Sequence, residues 1–199
     1  MIKRNRIITI LIILTFMTLS TSCESNEEQT QVSIIKEAEL TEKEEVLIKG
    51  TGINHSFVFE YKNNDNYDEI DIWIEKYQDG EKIGPMLKTS NPIDQESEKY
   101  IMFNISNVQD NSTWSISFIE GKNISTGKIG SNNNLGRTST WEIAKNLEIN
   151  KGEHIIAVLV GNDGNTINGI PNDFFSQPDE YIDEVLINDY VYLLKIKLY

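Results

Sequence analysis

Hydrophobic and polar residues alternate with a period of two along most of the chain from about residue 44 onward. Such alternation is typical of strands that bury one face, because successive side chains point to opposite sides of a sheet. Clusters of Gly, Asn and Asp, which favour turns, separate the alternating runs. The pattern predicts strands over residues 46–48, 57–61, 69–78, 99–105, 113–119, 138–143, 154–160 and 190–198.

Short strands at this spacing favour an all-β fold, a single antiparallel β-sandwich of the immunoglobulin-like or a related type. Near residues 178–186 the pattern changes, because a proline precedes apolar residues at helical spacing, and we predict one short helix there. Residues 43–199 are therefore expected to form one domain, which is long enough to bury a sizeable core.

The dipeptide Asp79-Gly80 predicts a two-residue type I′ hairpin, which fixes the pairing of the strands on either side of it. Pro85 lacks an amide proton, so the second of these strands is expected at the edge of its sheet. Directly opposed residues share a face, which assigns one set of apolar residues to the core. This predicted core face contains Ile70, Ile72, Ile74, Ile83 and Leu87.

The other face of the hairpin carries the first candidate ligand site. The expected register pairs Tyr77 with Lys82 and Trp73 with Met86. Two aromatic rings and a methionine on a polar, solvated face could stack on a sugar ring or anchor a protein partner. The alternative interpretation is cross-strand packing that stabilises the hairpin. We call Trp73, Tyr77, Lys82 and Met86 the Trp73 patch. Another tryptophan, Trp114, alternates in step with apolar residues and is expected in the core.

The first 22 residues have a different pattern, with three basic residues, an apolar run over residues 7–17 and small residues before Cys23. This order is typical of a secretory signal, and the run is shorter than the ~20 residues that span a bilayer comfortably. The segment Leu19-Ser20-Thr21-Ser22-Cys23 resembles the lipobox of bacterial lipoproteins of the Gram-positive type. The resemblance implies that residues 1–22 are cleaved off and that Cys23 is diacylated. It also implies a lipid anchor on the extracytoplasmic face of the cell membrane. Ordinary secretion and an uncut anchor are the alternatives.

Residues 23–42 are expected to form a lipidated, disordered and acidic tether, because they offer little apolar surface. The apolar run at residues 32–35 is an exception, and it is a candidate first edge strand.

Charge and composition narrow the function classes. The formal net charge is −13, and removal of the leader with its three positive charges leaves −16. Nucleic-acid binding depends on Lys and Arg neutralising phosphates, so we predict no nucleic-acid partner. Cys23 is the only cysteine, which excludes an internal disulfide and a cysteine-based metal site.

Signals for catalysis are weak. His55 and His154 are the only histidines, and neither belongs to an H-E-x-x-H motif, nor is a G-x-S-x-G motif present. The loop at residues 161–166 resembles a calcium loop but fails the spacing of its ligands. We therefore predict no catalytic residue, no metal site and no cofactor. The expected function is binding of a protein or glycan ligand by a membrane-anchored domain. A hydrolase that uses His55 or His154, and an accessory subunit of an envelope complex, are the alternatives.

Overall fold

The computed structural model describes residues 32–65, 67–95, 97–108, 111–131 and 135–199. In them the chain forms two antiparallel sheets, which confirms the predicted all-β sandwich. The predicted signal, Cys23 and the tether up to residue 31 lie outside the described residues. Neither helix in the described part has the length and apolar character needed to cross a bilayer.

The two sheets contain strands from all parts of the chain. Sheet A consists, in spatial order, of β7 (Asn123–Ser131), β6 (Asn111–Glu120), β5 (Lys99–Val108), β2 (His55–Lys62), β1 (Ser33–Glu37) and β9 (Asn146–Ile149). Sheet B consists of β4 (Glu81–Pro92), β3 (Glu69–Gln78), β11 (Tyr190–Leu198), β10 (Gly152–Asn162) and β8 (Thr138–Ile143). Two short helices, α1 (Glu42–Gly50) and α2 (Pro178–Val185), complete the described elements.

Most of the predicted elements are confirmed. Strands β3, β8 and β11 have the predicted bounds, and α2 lies where the helix was expected. Strands β7 and β9 were not predicted. The sequence of β7 contains two glycines among polar residues, and β9 has only four residues, so neither shows a clear alternation.

The predicted strand at residues 46–48 is wrong, because these residues belong to α1. Thr41 caps this helix: its side chain accepts a hydrogen bond from the Glu44 amide, and the Glu44 carboxylate accepts one from the Thr41 amide at 2.8 Å. Glu45 and Lys49 form an ion pair one turn apart, at 3.1 Å. These local interactions favour a helix over the strand preference of three apolar residues.

The disordered tether was predicted to extend to residue 42, and this boundary is also wrong. Strand β1 lies inside sheet A between β2 and β9, not at its edge, so the folded domain begins at Ser33. The Ile35 side chain is fully buried in the core. The Ser33 hydroxyl accepts hydrogen bonds from the amides of Asn64 and Asp65 at 3.0 and 3.1 Å. Burial and pairing on both sides stabilise a segment whose neighbours are polar.

The main core lies between the two sheets. Trp114 is fully buried there, as predicted, with its ring centroid 4.7 Å from that of Tyr192. A second hydrophobic cluster covers the outer face of sheet B, where α2 and the segment before it pack on Val158, Val160, Val191 and Leu193. The part of the outer face formed by these four residues is therefore apolar and covered.

The hairpin has the predicted turn, since Asp79 and Gly80 have φ angles of 52° and 77°. Strand β4 is an edge strand of sheet B, as predicted. The pairing of Tyr77 with Lys82 is confirmed, but the predicted register fails further along the hairpin. Two irregularities skip Ile83 and then Met86, so each bulge shifts the pairing by one residue.

These bulges change which side chains reach the core. Trp73 pairs with Lys88 and not with Met86. Ile83 was predicted on the core face, but 62% of it is exposed. The isoleucines of β3 do lie in the core, since the irregularities affect β4 alone.

Candidate binding cleft

The structure does not bring the four residues of the Trp73 patch together. Trp73 is only 8% exposed, and Met86 packs against the main core. Tyr77 packs against the second cluster and donates a hydrogen bond from its hydroxyl to Glu75 at 3.1 Å. Lys82 is exposed and pairs with the same carboxylate. Of the four residues only Lys82 is exposed, and Met86 packs against the main core, so they form no shared surface.

Lysines cover the Trp73 ring. The ammonium nitrogens of Lys88 and Lys195 lie 5.7 and 5.4 Å from the ring centroid. Lys88 also pairs with Asp71 at 2.7 Å, and Lys195 pairs with Glu75 at 3.2 Å. The lysines and carboxylates neutralise one another around the indole, and this leaves little of it for a ligand.

Both carboxylates of this network have a lowered pKa. Burial by itself raises the pKa of Asp71, but hydrogen bonds from Lys88, Ser90 and Tyr199 outweigh it. Burial also raises the pKa of Glu75, and its hydrogen bonds and ion pairs with lysines outweigh that effect in the same way. Both groups are therefore ionised at neutral pH and stabilise the sheet face.

An open cleft lies elsewhere, between α1, the end of β1 and the start of β2 in sheet A, and the edge strand β8 of sheet B. It encloses about 360 Å³ and is lined by the end of β1, by α1, by the start of β2 and by Trp141 of β8. Its apolar surface includes Ile48, Ile53 and Phe57. We call this the α1 cleft. Its volume lies within the ~300–1,000 Å³ of typical small-ligand sites.

Trp141 is the largest side chain of the α1 cleft. It pairs with Leu159, whose side chain lies in the main core, so the indole is on the inner side of sheet B. Because β8 is the outermost strand, the ring extends past the sheet edge towards sheet A. Its centroid lies 4.5 Å from that of His55 and 6.0 Å from that of Phe57. These contacts hold the ring in place, yet 41% of Trp141 remains exposed.

Charged side chains surround this aromatic wall. Glu37 and Glu45 provide carboxylates, and Lys49 provides an ammonium group that pairs with Glu45 at 3.1 Å. The hydroxyl of Ser56 donates to the Asn104 side chain at 2.6 Å, so its proton is already engaged. The α1 cleft thus combines a fixed aromatic surface with a rim that can both donate and accept hydrogen bonds.

Within the described residues, neither His55 nor His154 forms a hydrogen bond to a hydroxyl or a carboxylate. The Nε2 atom of His154 lies 2.9 Å from the carbonyl oxygen of Asn150, in the turn that precedes β10. The described residues also contain no cluster of three or more His, Cys, Asp or Glu side chains that could hold a metal ion.

Sequence reasoning missed this site. Trp141 lies in a correctly predicted strand, but the order of strands in the sheets, which puts the ring beside His55, is not visible in the sequence. One local signal was available, because Thr41 and Glu44 have the spacing of a capping box and predict α1.

Comparisons with known proteins identify a family. Neither the curated proteins nor the solved structures gave a significant match. The family model of the YgaN domain matches residues 34–198, which extend from β1 to β11 and include every element that lines the α1 cleft. The chain therefore belongs to the YgaN domain family.

Proposed function

We propose that this protein is a lipoprotein, anchored through Cys23 on the extracytoplasmic face of the cell membrane, which binds a protein or glycan ligand without catalysing a reaction. The observation that carries the proposal is the fixed and partly exposed indole of Trp141 in the α1 cleft. A large exposed aromatic side chain in a cleft is a common feature of recognition sites.

The anchor is tested by Cys23→Ala in the full chain. We expect the variant to lose the mass of the acyl groups and to leave the membrane fraction or accumulate as a precursor, since two acyl chains are needed for stable anchoring. Ser25→Ala is the matched control and should behave as wild type. Unchanged mass and membrane retention in Cys23→Ala would contradict lipidation.

The binding site is tested by photo-crosslinking in cells that express the full chain. A benzophenone amino acid replaces Glu42, which lies one turn before Glu45 on the same face of α1 and does not line the α1 cleft, or, as the control, the exposed Ile187 beyond α2. Benzophenone inserts into C–H bonds of both proteins and glycans. We expect adducts from position 42 that disappear when Trp141→Ala is added. Identical adducts from both positions, or adducts that persist without Trp141, would contradict the proposed site.

A further inference from the structure

We propose that the α1 cleft takes a neutral saccharide of one or two rings, an inference that rests on the proposed binding function. Four features of the cleft favour such a ligand: its aromatic surface, its rim, its charge and its size.

The aromatic surface suits the apolar side of a sugar ring. His55 and Phe57 contact the Trp141 ring at interplanar angles of 59° and 68°, which brace it in one orientation. The face of an indole carries negative charge density, and the C–H groups of a pyranose carry a small positive one, so the two attract when stacked. A ring that is already fixed loses little conformational entropy when a ligand binds.

The rim suits hydroxyl groups. A sugar hydroxyl both donates and accepts hydrogen bonds, and the rim offers carboxylate acceptors on Glu37 and Glu45 beside the ammonium donor of Lys49. A purely apolar ligand would contact the floor of the cleft and leave these charged groups without new partners. The mixture of an apolar floor and polar rim thus favours a ligand with both kinds of surface.

The charge of the cleft excludes acidic sugars. Two carboxylates face one ammonium group, and that group is already paired with Glu45. The whole chain carries a formal net charge of −13, which adds a repulsive field for anions. Uncharged sugars avoid this repulsion.

The size limits the ligand to a short saccharide. A volume of about 360 Å³ lies near the lower end of the range for small-ligand sites. The site therefore fits one or two rings, and a longer glycan would extend from it into solvent.

Tryptophan fluorescence provides a direct test, because the chain has three tryptophans and two of them, Trp73 and Trp114, are buried. Acrylamide should therefore quench chiefly Trp141. The full chain, in a detergent without sugar groups, is titrated with cellobiose, maltose and diacetylchitobiose. Digalacturonate is the anionic control, and the tripeptide Gly-Leu-Gly is the peptide control. We expect at least one neutral disaccharide to lower the quenching constant about twofold or more at saturation, and neither control to do so.

Calorimetry with the protecting sugar assigns the effect to the cleft. Trp141→Ala should weaken its binding at least tenfold, and Trp141→Phe, which keeps a ring, should weaken it less. Ile187→Ala should bind as wild type does. Loss of binding in Ile187→Ala as well would show that the sugar binds elsewhere, against the proposal.

The outcomes separate the ligand class from the broader function. Protection by digalacturonate or the tripeptide alone would overturn the neutral saccharide and leave the binding function standing. If no probe protects Trp141 but Trp141-dependent adducts form in cells, the neutral saccharide is again overturned and the binding function stands. No protection and no such adducts would overturn both proposals.

Discussion

The network around Trp73 can be tested by removing one charge from it. In Glu75→Gln the side chain keeps its shape but loses the carboxylate that pairs with Lys82 and Lys195. Lys82 is exposed, so water can solvate its ammonium group once the carboxylate is gone. Losing this ion pair should therefore cost little stability. Lys195 is different, because only 15% of its side chain is exposed and its remaining partner is Glu153, at 3.1 Å.

The expected loss in the free energy of unfolding follows from these contacts. A hydrogen bond to a charged group contributes about 1.5–3 kcal/mol, and one partly buried cation loses one of its two partners. We therefore expect Glu75→Gln to destabilise the domain by about 1–3 kcal/mol. The matched control is Glu153→Gln, which removes a partner from the same Lys195. Because the Glu153 side chain is 51% exposed, that loss should stay within about 1 kcal/mol.

The pH dependence of the stability difference between wild type and Glu75→Gln is a second check. The folded-state pKa of Glu75 lies below its ordinary value, so its contribution to stability is fully present above the ordinary pKa. That contribution is lost as the pH falls through the folded pKa, where wild type also becomes protonated. Urea unfolding at pH 7 and at stepwise lower pH measures both effects, with an unchanged m-value as the control. Equal losses of unfolding free energy in Glu75→Gln and Glu153→Gln would refute the assigned role of Glu75. A stability difference between wild type and Glu75→Gln that grows on acidification would refute it too.

Three further predictions concern packing and the helix cap. Gly127→Val should lower the free energy of unfolding in urea by about 1–3 kcal/mol, because a Cβ atom there would lie 2.9 Å from a β4 side chain. Gly130→Val, on the same strand but with open space around it, should not cause this loss. Trp114→Ala should cost about 3–5 kcal/mol, more than Trp141→Ala; equal losses would mean that Trp141 is a core residue. Thr41→Ala should weaken α1 by about 0.5–2 kcal/mol, seen as faster amide exchange confined to that helix, and faster exchange in β11 would contradict a local cap.

Part of the fold could be predicted because local chemistry determines it. The Asp79-Gly80 turn needs two residues that tolerate positive φ, and the alternation in β3 needs only one buried face. The bulges at Ile83 and Met86 could not be predicted in this way, since they depend on how β4 packs as an edge strand. A register error of two residues then put Met86 beside Trp73, and the candidate site with it.

The site itself depends on contacts between residues that are far apart in the sequence. Trp141 reaches His55 because β8 is the edge of one sheet and β2 lies in the other. The lysines that cover Trp73 come from β4 and β11, and only the strand order brings them together. Alternation identifies which side chains share a face of one strand, but it does not identify the neighbouring strand.

The proposed function depends on ligand binding in the α1 cleft through Trp141. We would therefore measure the yield of photo-adducts from a benzophenone at position 42, in cells with and without Trp141→Ala. We expect adducts in the otherwise wild-type chain and at least a tenfold lower yield without the indole. An equal yield in both chains would contradict binding through Trp141.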